Sequence, residues 1–555
     1  MNFGAPFNFS FQNMACSKIF SDLPELINEI IQYFQNDYKT LHSFILINRL
    51  WCRLAIPLLW EDPFSIPTKN NNFVEIYLRN LSDSDKKFFN KHGINSDLFP
   101  SNTLFNYSRF IKCLNIHKIN LCVKEWFTHK SLITSKHFNM DIVFKLLFKT
   151  FVENENSVNL HTFEFEIHKY SHFSTTYELI LQNPNFLRNI RNFKFYYSPF
   201  QHEKTIYLFL NFIFSNCNLI SSIQFSYNSS NALINEYVLK LINSQHNLKK
   251  FVLRDYNKSN YPLLPLKIPN YSNTLKTIIF YCVDFKYVVD VNGKIFERLN
   301  VLESVHILHC YSLEYLIQQI INIEKPFQLK SLFMNGIADI KSLELLLRKS
   351  GDYLENFVFG SFKNDEQKNQ IFELLIKYCT KIKFIDLIGV IICQNIFLVF
   401  GLIENIKQNL NHLSIDILDY SHQFIDDVML SSTVLLNLGQ ILPCRLEYLN
   451  LSLKINTFHL LVFLKNSQNT FIRKLLIRDA KQEKSEEILP YIKEYIMKKK
   501  RVRYLAILGN LFGKEENLVS SKDEVKEFEL YDIEIQHYDD LFIQIHDYMN
   551  LLMQY

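Results

Sequence analysis

The sequence predicts an α/β fold in which three short N-terminal helices precede a solenoid of stacked strand–helix units, parallel strands inside and helices outside. Two observations lead there. One phrase (apolar, two variable, apolar, one variable, apolar) recurs, with anchors at Leu248, Leu275, Leu302 and Leu329 spaced 27 residues apart. Between the phrases lie stretches of helical spacing, such as Glu203–Phe214, Asp339–Arg348, Gln367–Tyr378 and Val434–Ile441.

Each part follows in chain order. Ser21-Asp22-Leu23-Pro24 reads as a helix entry, and Leu26, Ile27, Ile30, Ile31 and Phe34 then recur at helical spacing. Asp37 can cap a second helix running through Leu41. Ile45, Ile47, Leu50, Trp51 and Leu54 continue on a third, which Pro57 is expected to end. Three such helices cannot build a large core alone, so the module needs a partner or a neighbouring domain. Residues 1–17 read as a disordered tail, with the functional chain starting near Met14. The helical module takes 18–67, a linker or cap 68–109, and the solenoid 110–555.

Further phrases include Ile111/Leu114/Ile116, Leu160/Phe163/Phe165, Leu354/Phe357/Phe359, Leu410/Leu413/Ile415, Ile472/Leu475/Ile477 and Val502/Leu505/Ile507, with a last one at Val525/Phe528/Leu530. The last two apolar positions alternate with polar ones, as in a half-buried strand. One strand and one helix cannot bury their apolar sides alone, but stacked neighbours form a continuous core. The residues flanking those positions then face away from the core. They include Lys250, Arg254, Tyr281, His306, Phe333, Phe384, Asp386, Asp416, Tyr448 and Arg478, a stripe on which a protein substrate could sit. A solvated strand face needs no Phe, so Phe333 and Phe384 are its unusual members, either binding anchors or cover for an irregular sheet.

Composition narrows the chemistry. Sixty basic and 56 acidic residues leave a net charge of +4, so charge gives nucleic acid no support. Eleven glycines and no phosphate-cradling glycine loop lower the case for a nucleotide-dependent enzyme. The ten cysteines show no close pairing and read as buried thiols of a reducing compartment, cytoplasmic or nuclear. The apolar window Ile385–Ile403 is broken by Asp386, Gln394 and Asn395, and reads as a strand followed by a helix rather than a membrane span. His306, His309 and Cys310 would diverge from a strand and turn, and His168 and His172 fall in a loop, so no metal site is expected. Asp426-Asp427 and Asp539-Asp540 read as solvated turns. Lys498–Arg503 reads as the basic end of a helix Glu487–Met497. No catalytic arrangement and no cofactor site is visible.

Leu23-Pro24, Ile30, Phe34, Asp37, Leu41 and the run Ile47-Asn48-Arg49-Leu50-Trp51-Cys52-Arg53-Leu54-Ala55 resemble the F-box motif, and Ile56-Pro57-Leu58-Leu59-Trp60 resembles the tail of fungal-type F-boxes. The recurrent phrase resembles the leucine-rich repeat. It departs from that pattern where Tyr256, Val283, Ile337 and Val390 replace the turn Asn/Cys that Cys310 retains. The resemblance implies a non-enzymatic adaptor that docks on the Skp component of a cullin–RING ubiquitin ligase through Leu23, Pro24, Ile27, Ile30, Leu41 and Trp51. The solenoid would hold the protein substrate. The alternatives are a ligase-independent repeat scaffold, in which the N-terminal helices only cap the array, and an enzyme with an unrecognised site.

Overall fold

The computed structural model describes residues 23–554 apart from 67–70, 80, 93–102, 130–139, 154–159, 168–172, 198–202, 228–231, 256–272, 289–295, 322, 335–338, 361–363, 418–423, 480–487 and 512–513. Ser21, Asp22, Met14, His168 and His172 therefore lie outside the described residues. The chain forms two compact units. One comprises residues up to Phe225 with Leu233–Leu248, the other Ser226–Ala232 with Lys249 onward.

The first unit opens with helices Pro24–Tyr33, Tyr38–Phe44 and Arg49–Leu59. Pro24 occupies a first-turn position where its missing N–H costs nothing. The Asp37 carboxylate accepts from the Thr40 N–H at 3.0 Å, and Asn48 Oδ1 accepts from Leu50 and Trp51 at 2.9 and 3.0 Å. Both side chains satisfy donors that a helix start leaves free. Pro57 does not end the third helix, which runs two residues beyond it; the Trp60 N–H closes on the Ile56 carbonyl at 3.1 Å. Ile27, Ile31, Leu41 and Ala55 form the buried centre, with Phe34, Phe44, Trp51 and Leu54 against it. The expected linker holds two helices, Phe73–Leu78 and Asp83–Lys91, and Tyr77 is fully buried beside Phe64, Trp60 and Phe151. The Glu61 carbonyl accepts from the N–H groups of Lys112 and Cys113, and the Lys112 ammonium pairs with its carboxylate. The helices are thereby joined to the first strand.

That strand, β1 (Cys113–Asn115), is followed in order by β2 (Thr162–Ile167), β3 (Asn192–Tyr197) and β4 (Ser222–Tyr227), with β1, β2 and β3 paired in parallel. Phe163, Phe165, Phe193, Phe195 and Phe225 are buried on one side, where Phe165, Phe193 and Phe195 pack with Phe209 of the helix Glu203–Asn216 and Phe225 packs on Phe195. The buried Gln245 side chain accepts from the Ile220 N–H and donates to the carbonyls of Cys217 and Leu241, bridging successive repeats.

The second unit continues the scheme. Its strands are β5 (Lys250–Asp255), β6 (Thr277–Tyr281), β7 (Ser304–Leu308), β8 (Leu329–Phe333), β9 (Asn356–Val358), β10 (Phe384–Ile388), β11 (His412–Asp416), β12 (Arg445–Leu453), β13 (Phe471–Asp479) and β14 (Val502–Leu511). From β5 to β14 successive strands pair in parallel, with one irregularity between Val305 and His306. Ile385–Ile403 is strand β10 followed by the start of the helix Ile396–Ile406, as its broken apolar run indicates. No helix among the described residues is long and apolar enough to cross a membrane. Gly439 lets the helix Phe424–Ile441 approach the next one closely, since a Cβ there would lie 2.7 Å from the Phe463 carbonyl oxygen.

The array does not reach the C-terminus as expected. Val525, Phe528 and Leu530 form no further strand; Lys522–Glu529 is a helix. The outer edge of β14 is taken by the antiparallel β15 (Lys514–Asn517) and by the short parallel β16 (Glu534–Ile535). An exposed edge would otherwise offer unpaired backbone groups to other chains.

The basic run follows a helical segment that ends at Met497 and leads into β14, as expected. The helix there is Leu489–Ile492, continued by the wider turn Lys493–Met497, and Lys500 pairs with Asp532 at 2.8 Å. Arg501 is buried, and its guanidinium donates to the carbonyls of Thr470, Leu464, Ser467 and Tyr495 around the end of the helix Thr457–Asn466. Burial lowers its pKa to about 10. Arg501→Ala leaves these carbonyls unpaired and should lower the unfolding free energy by about 3 kcal/mol, with no rescue by Arg501→Lys, as read from urea titration.

Candidate functional site

Strand register sets two rows on the side of the second unit's sheet that faces away from the helices. One runs Val252, Ile279, His306, Ser331, Asn356, Phe384, His412, Tyr448, Lys474; the other runs Arg254, Tyr281, Leu308, Phe333, Val358, Asp386, Ser414, Asn450, Leu476. All ten residues of the expected stripe are on this inner face, because side chains alternate along each strand. Lys250 precedes Val252 by two residues, and Asp416 and Arg478 lie in a third row.

The stripe is not open. Phe333 is 1% exposed, Phe384 and Tyr448 2%, Asp386 4%, and Arg254, Tyr281 and His306 are also buried; Lys250, Asp416 and Arg478 are partly exposed. The cover is the chain's own C-terminal segment, with helices Tyr538–Leu541 and Ile545–Gln554. Met549 joins Val252, Ile279, Tyr281, Leu308, Phe333, Val358 and Phe384 in one cluster, flanked by Ile545, Tyr548 and Leu552. Tyr538 and Leu541 close a second cluster over Tyr448, Leu476 and Ala506. As free substrate contacts, the buried seven are therefore corrected: Arg254, Tyr281, Phe333, Phe384 and Tyr448 pack with or bond the strap, and His306 and Asp386 are buried on the same face. The two phenylalanines do cover the sheet, and they meet both the C-terminal helix, at Tyr548, and side chains of other strands in the same sheet.

Polar groups fix the strap in place. The Tyr538 hydroxyl donates to Asn450 Oδ1 at 2.8 Å, the Tyr548 hydroxyl donates to Asn356 Oδ1 at 2.8 Å, and the Ile543 N–H donates to the Tyr448 hydroxyl at 3.2 Å. Arg254 Nη2 donates to Asn550 Oδ1 at 3.3 Å. Asn356 Nδ2 donates in turn to Ser331 Oγ, which meets His306 Nδ1, both at 2.8 Å. The Phe384 ring lies 3.9 Å from Tyr548 and 4.0 Å from His412, and His412 lies 4.1 Å from Tyr448.

Burial shifts the titratable groups beneath. His306 is lowered to about 4 by burial and by Lys250, and His412 to about 3 by burial and by Lys474. Asp386 is raised to about 7 by burial and by the like charge of Asp416, although its carboxylate accepts the Ile388 N–H. Beside the strap lies a cavity of about 590 Å³, lined by His306, Phe384, His412, Tyr448 and Lys474 and by the strap's Ile543, Tyr548 and Leu552. Along the strand entries Glu355 pairs with Lys330 at 2.5 Å and with Lys383 at 2.8 Å, and Glu447 with Arg473 at 3.3 Å.

Other candidates are dispersed. His306 and His309 bond different groups, Ser331 and the Met334 carbonyl, and Cys310 Sγ turns to the Leu308 carbonyl. Among the described residues no group of three metal-ligating side chains comes together. Of the expected docking residues, Ile27 and Leu41 are buried inside the three-helix cluster and so are not surface contacts; Ile30 and Trp51 are half-buried, and Leu23 and Pro24 are exposed. Further exposed apolar side chains on the same helices and turns are Leu26, Tyr33, Leu46 and Ile47.

Sequence reasoning missed the strap residues, and with them Asn356, His412, Asn450 and Lys474. A signal was present: Ile545, Tyr548, Met549 and Leu552 fall at helical spacing, marking an amphipathic helix in need of an apolar face. No protein-family model matches this chain, and no curated protein matches it.

Two outcomes follow from this packing. Phe384→Ser should cost about 3–5 kcal/mol and lower the melting temperature, as for other buried phenylalanine truncations. The pH dependence has opposing parts. Asp386 keeps its proton in the fold while the unfolded carboxyl ionises near 3.8, so its contribution is lost as pH rises through 4 to 7. The two histidines stay neutral in the fold while unfolded imidazole protonates below 6.5, so stability falls as pH drops from 6.5 towards 4 for His306 and 3 for His412. Each group contributes a slope of at most about 1.4 kcal/mol per pH unit. Asp386→Asn should remove the first slope and exceed wild type above pH 7, and His412→Phe should flatten the acid limb, both measured by denaturant unfolding across pH.

Proposed function

We propose that the chain is the substrate-recognition adaptor of a Skp–cullin–F-box ubiquitin ligase, with no catalytic chemistry of its own. The observation that carries the reading is the N-terminal module. Its helices bury one cluster, yet Leu23, Leu26, Leu46 and Ile47, around the Leu-Pro start and the second turn, stay exposed. Apolar side chains grouped on so small a module favour a protein partner. The docking surface is thus Leu23, Pro24 and the half-buried Ile30 and Trp51, with Ile27 and Leu41 holding the helices that present them. The strand–helix array of the second unit serves substrate recognition. Because the strap occupies its inner face, substrate contacts fall on what remains accessible, including Lys250, Asp416 and Arg478. The adaptor acts in the cytoplasm or nucleus, where such ligases work.

The ligase-independent scaffold draws support from the link between Glu61 and Lys112, which ties the module to β1 as a cap would be tied. Leu23→Asp separates the two readings. It puts a carboxylate into the proposed contact, where an unpaired buried charge costs several kcal/mol. Skp capture should fall more than tenfold in a pulldown beside wild type, with melting unchanged. Undiminished capture, or none by wild type, sinks the adaptor reading and leaves the scaffold.

A further inference from the structure

The cavity between the inner face and the strap holds a group that nothing in the described residues satisfies. His412 is 8% exposed, stacked between Phe384 and Tyr448, and lines the cavity. Neither of its ring nitrogens has a hydrogen-bond partner among the described residues. An imidazole carries one N–H donor and one acceptor nitrogen when neutral, so His412 offers the cavity one of each. Two strands along the same row, beyond Tyr448, is Lys474, near enough for its charge to act on the imidazole.

The charges around the cavity do not balance. Lys330 and Lys383 share Glu355, and Arg473 has Glu447, whereas Lys474 has no ion-pair partner among the described residues. The opposite wall, Ile543 and Leu552, is apolar, with the Tyr548 ring beside it. A volume of about 590 Å³ lies within the usual range for small-molecule sites.

We propose that this cavity binds a small amphipathic acid, its single anionic group held by Lys474 and the His412 N–H and its apolar body against Ile543, Leu552 and Tyr548. The group is a carboxylate or a phosphate monoester. The ligand adds apolar contact to both the sheet and the strap, so binding also holds the strap down. This site is independent of Skp docking, whose surface lies on the N-terminal helices.

The probe is 1-anilinonaphthalene-8-sulfonate, an aromatic anion that fluoresces in apolar sites, titrated into the full chain. The expected result is one saturable site. Lys474→Met, which keeps the stem and drops the charge, and His412→Phe, which keeps the ring and drops the nitrogens, should each weaken it at least tenfold, with melting unchanged for Lys474→Met. The uncharged N-phenyl-1-naphthylamine should bind wild type and Lys474→Met alike. Displacement of the probe by decanoate assigns a carboxylate site, and by decyl phosphate a phosphate site. The proposal is overturned by absence of a saturable site, by equal affinity of wild type and Lys474→Met, by equal weakening of the neutral dye, or by failure of both acids to displace the probe.

Discussion

The second unit depends on the covering of its inner face. A parallel strand row exposed to water ordinarily alternates apolar residues inward with polar ones outward, but here Tyr281, Leu308, Phe333, Val358 and Phe384 stand on the outward side. Left in water, each large side chain would forgo roughly 1.5–3 kcal/mol of burial. The strap supplies that burial with Met549, Tyr548 and Leu552, and the shifts at His306, His412 and Asp386 arise because it excludes water there. Its hydrogen bonds to Asn356, Asn450 and Tyr448 set its register, since apolar contact alone is non-directional.

Beneath this cover the architecture is local and repetitive. Each repeat buries its apolar side only against its neighbours, so the chain must finish both ends of the array by other means. At the far end β15 and β16 occupy the last edge, and Arg501 closes the carbonyls that the helix Thr457–Asn466 leaves free. Between repeats, Glu355 joins Lys330 and Lys383, and Gln245 joins the segments around Ile220 and Cys217. These bridges form because parallel register sets equivalent positions side by side in every repeat.

The docking proposal and the strap alter how the inner face is understood. A face that already carries a ligand from its own chain presents a smaller surface to others, made of the strap's outer side and the partly exposed Lys250, Asp416 and Arg478. The N-terminal helices stand in the opposite condition. Their own core is complete, with Ile27, Ile31, Leu41 and Ala55 inside, while Leu23, Leu26, Leu46 and Ile47 remain outside it.

The sequence alone determined the repeated strands, the side of the sheet on which Phe333, Phe384, His306 and Tyr448 fall, and the cap at Asp37. These follow from periodicity and short-range hydrogen bonding, which neighbouring residues decide among themselves. It misjudged Pro57, whose helix continues two residues further, and Val525–Leu530, where apolar spacing alone does not distinguish a strand from a helix. It did not reveal that Tyr548 meets Asn356, 192 residues away in the chain, or that Tyr538 meets Asn450. Only the tertiary structure decided those pairs, and with them the cavity and the burial of His412. No local pattern encodes which distant face an amphipathic helix will cover; that choice rests on the fit between complete surfaces.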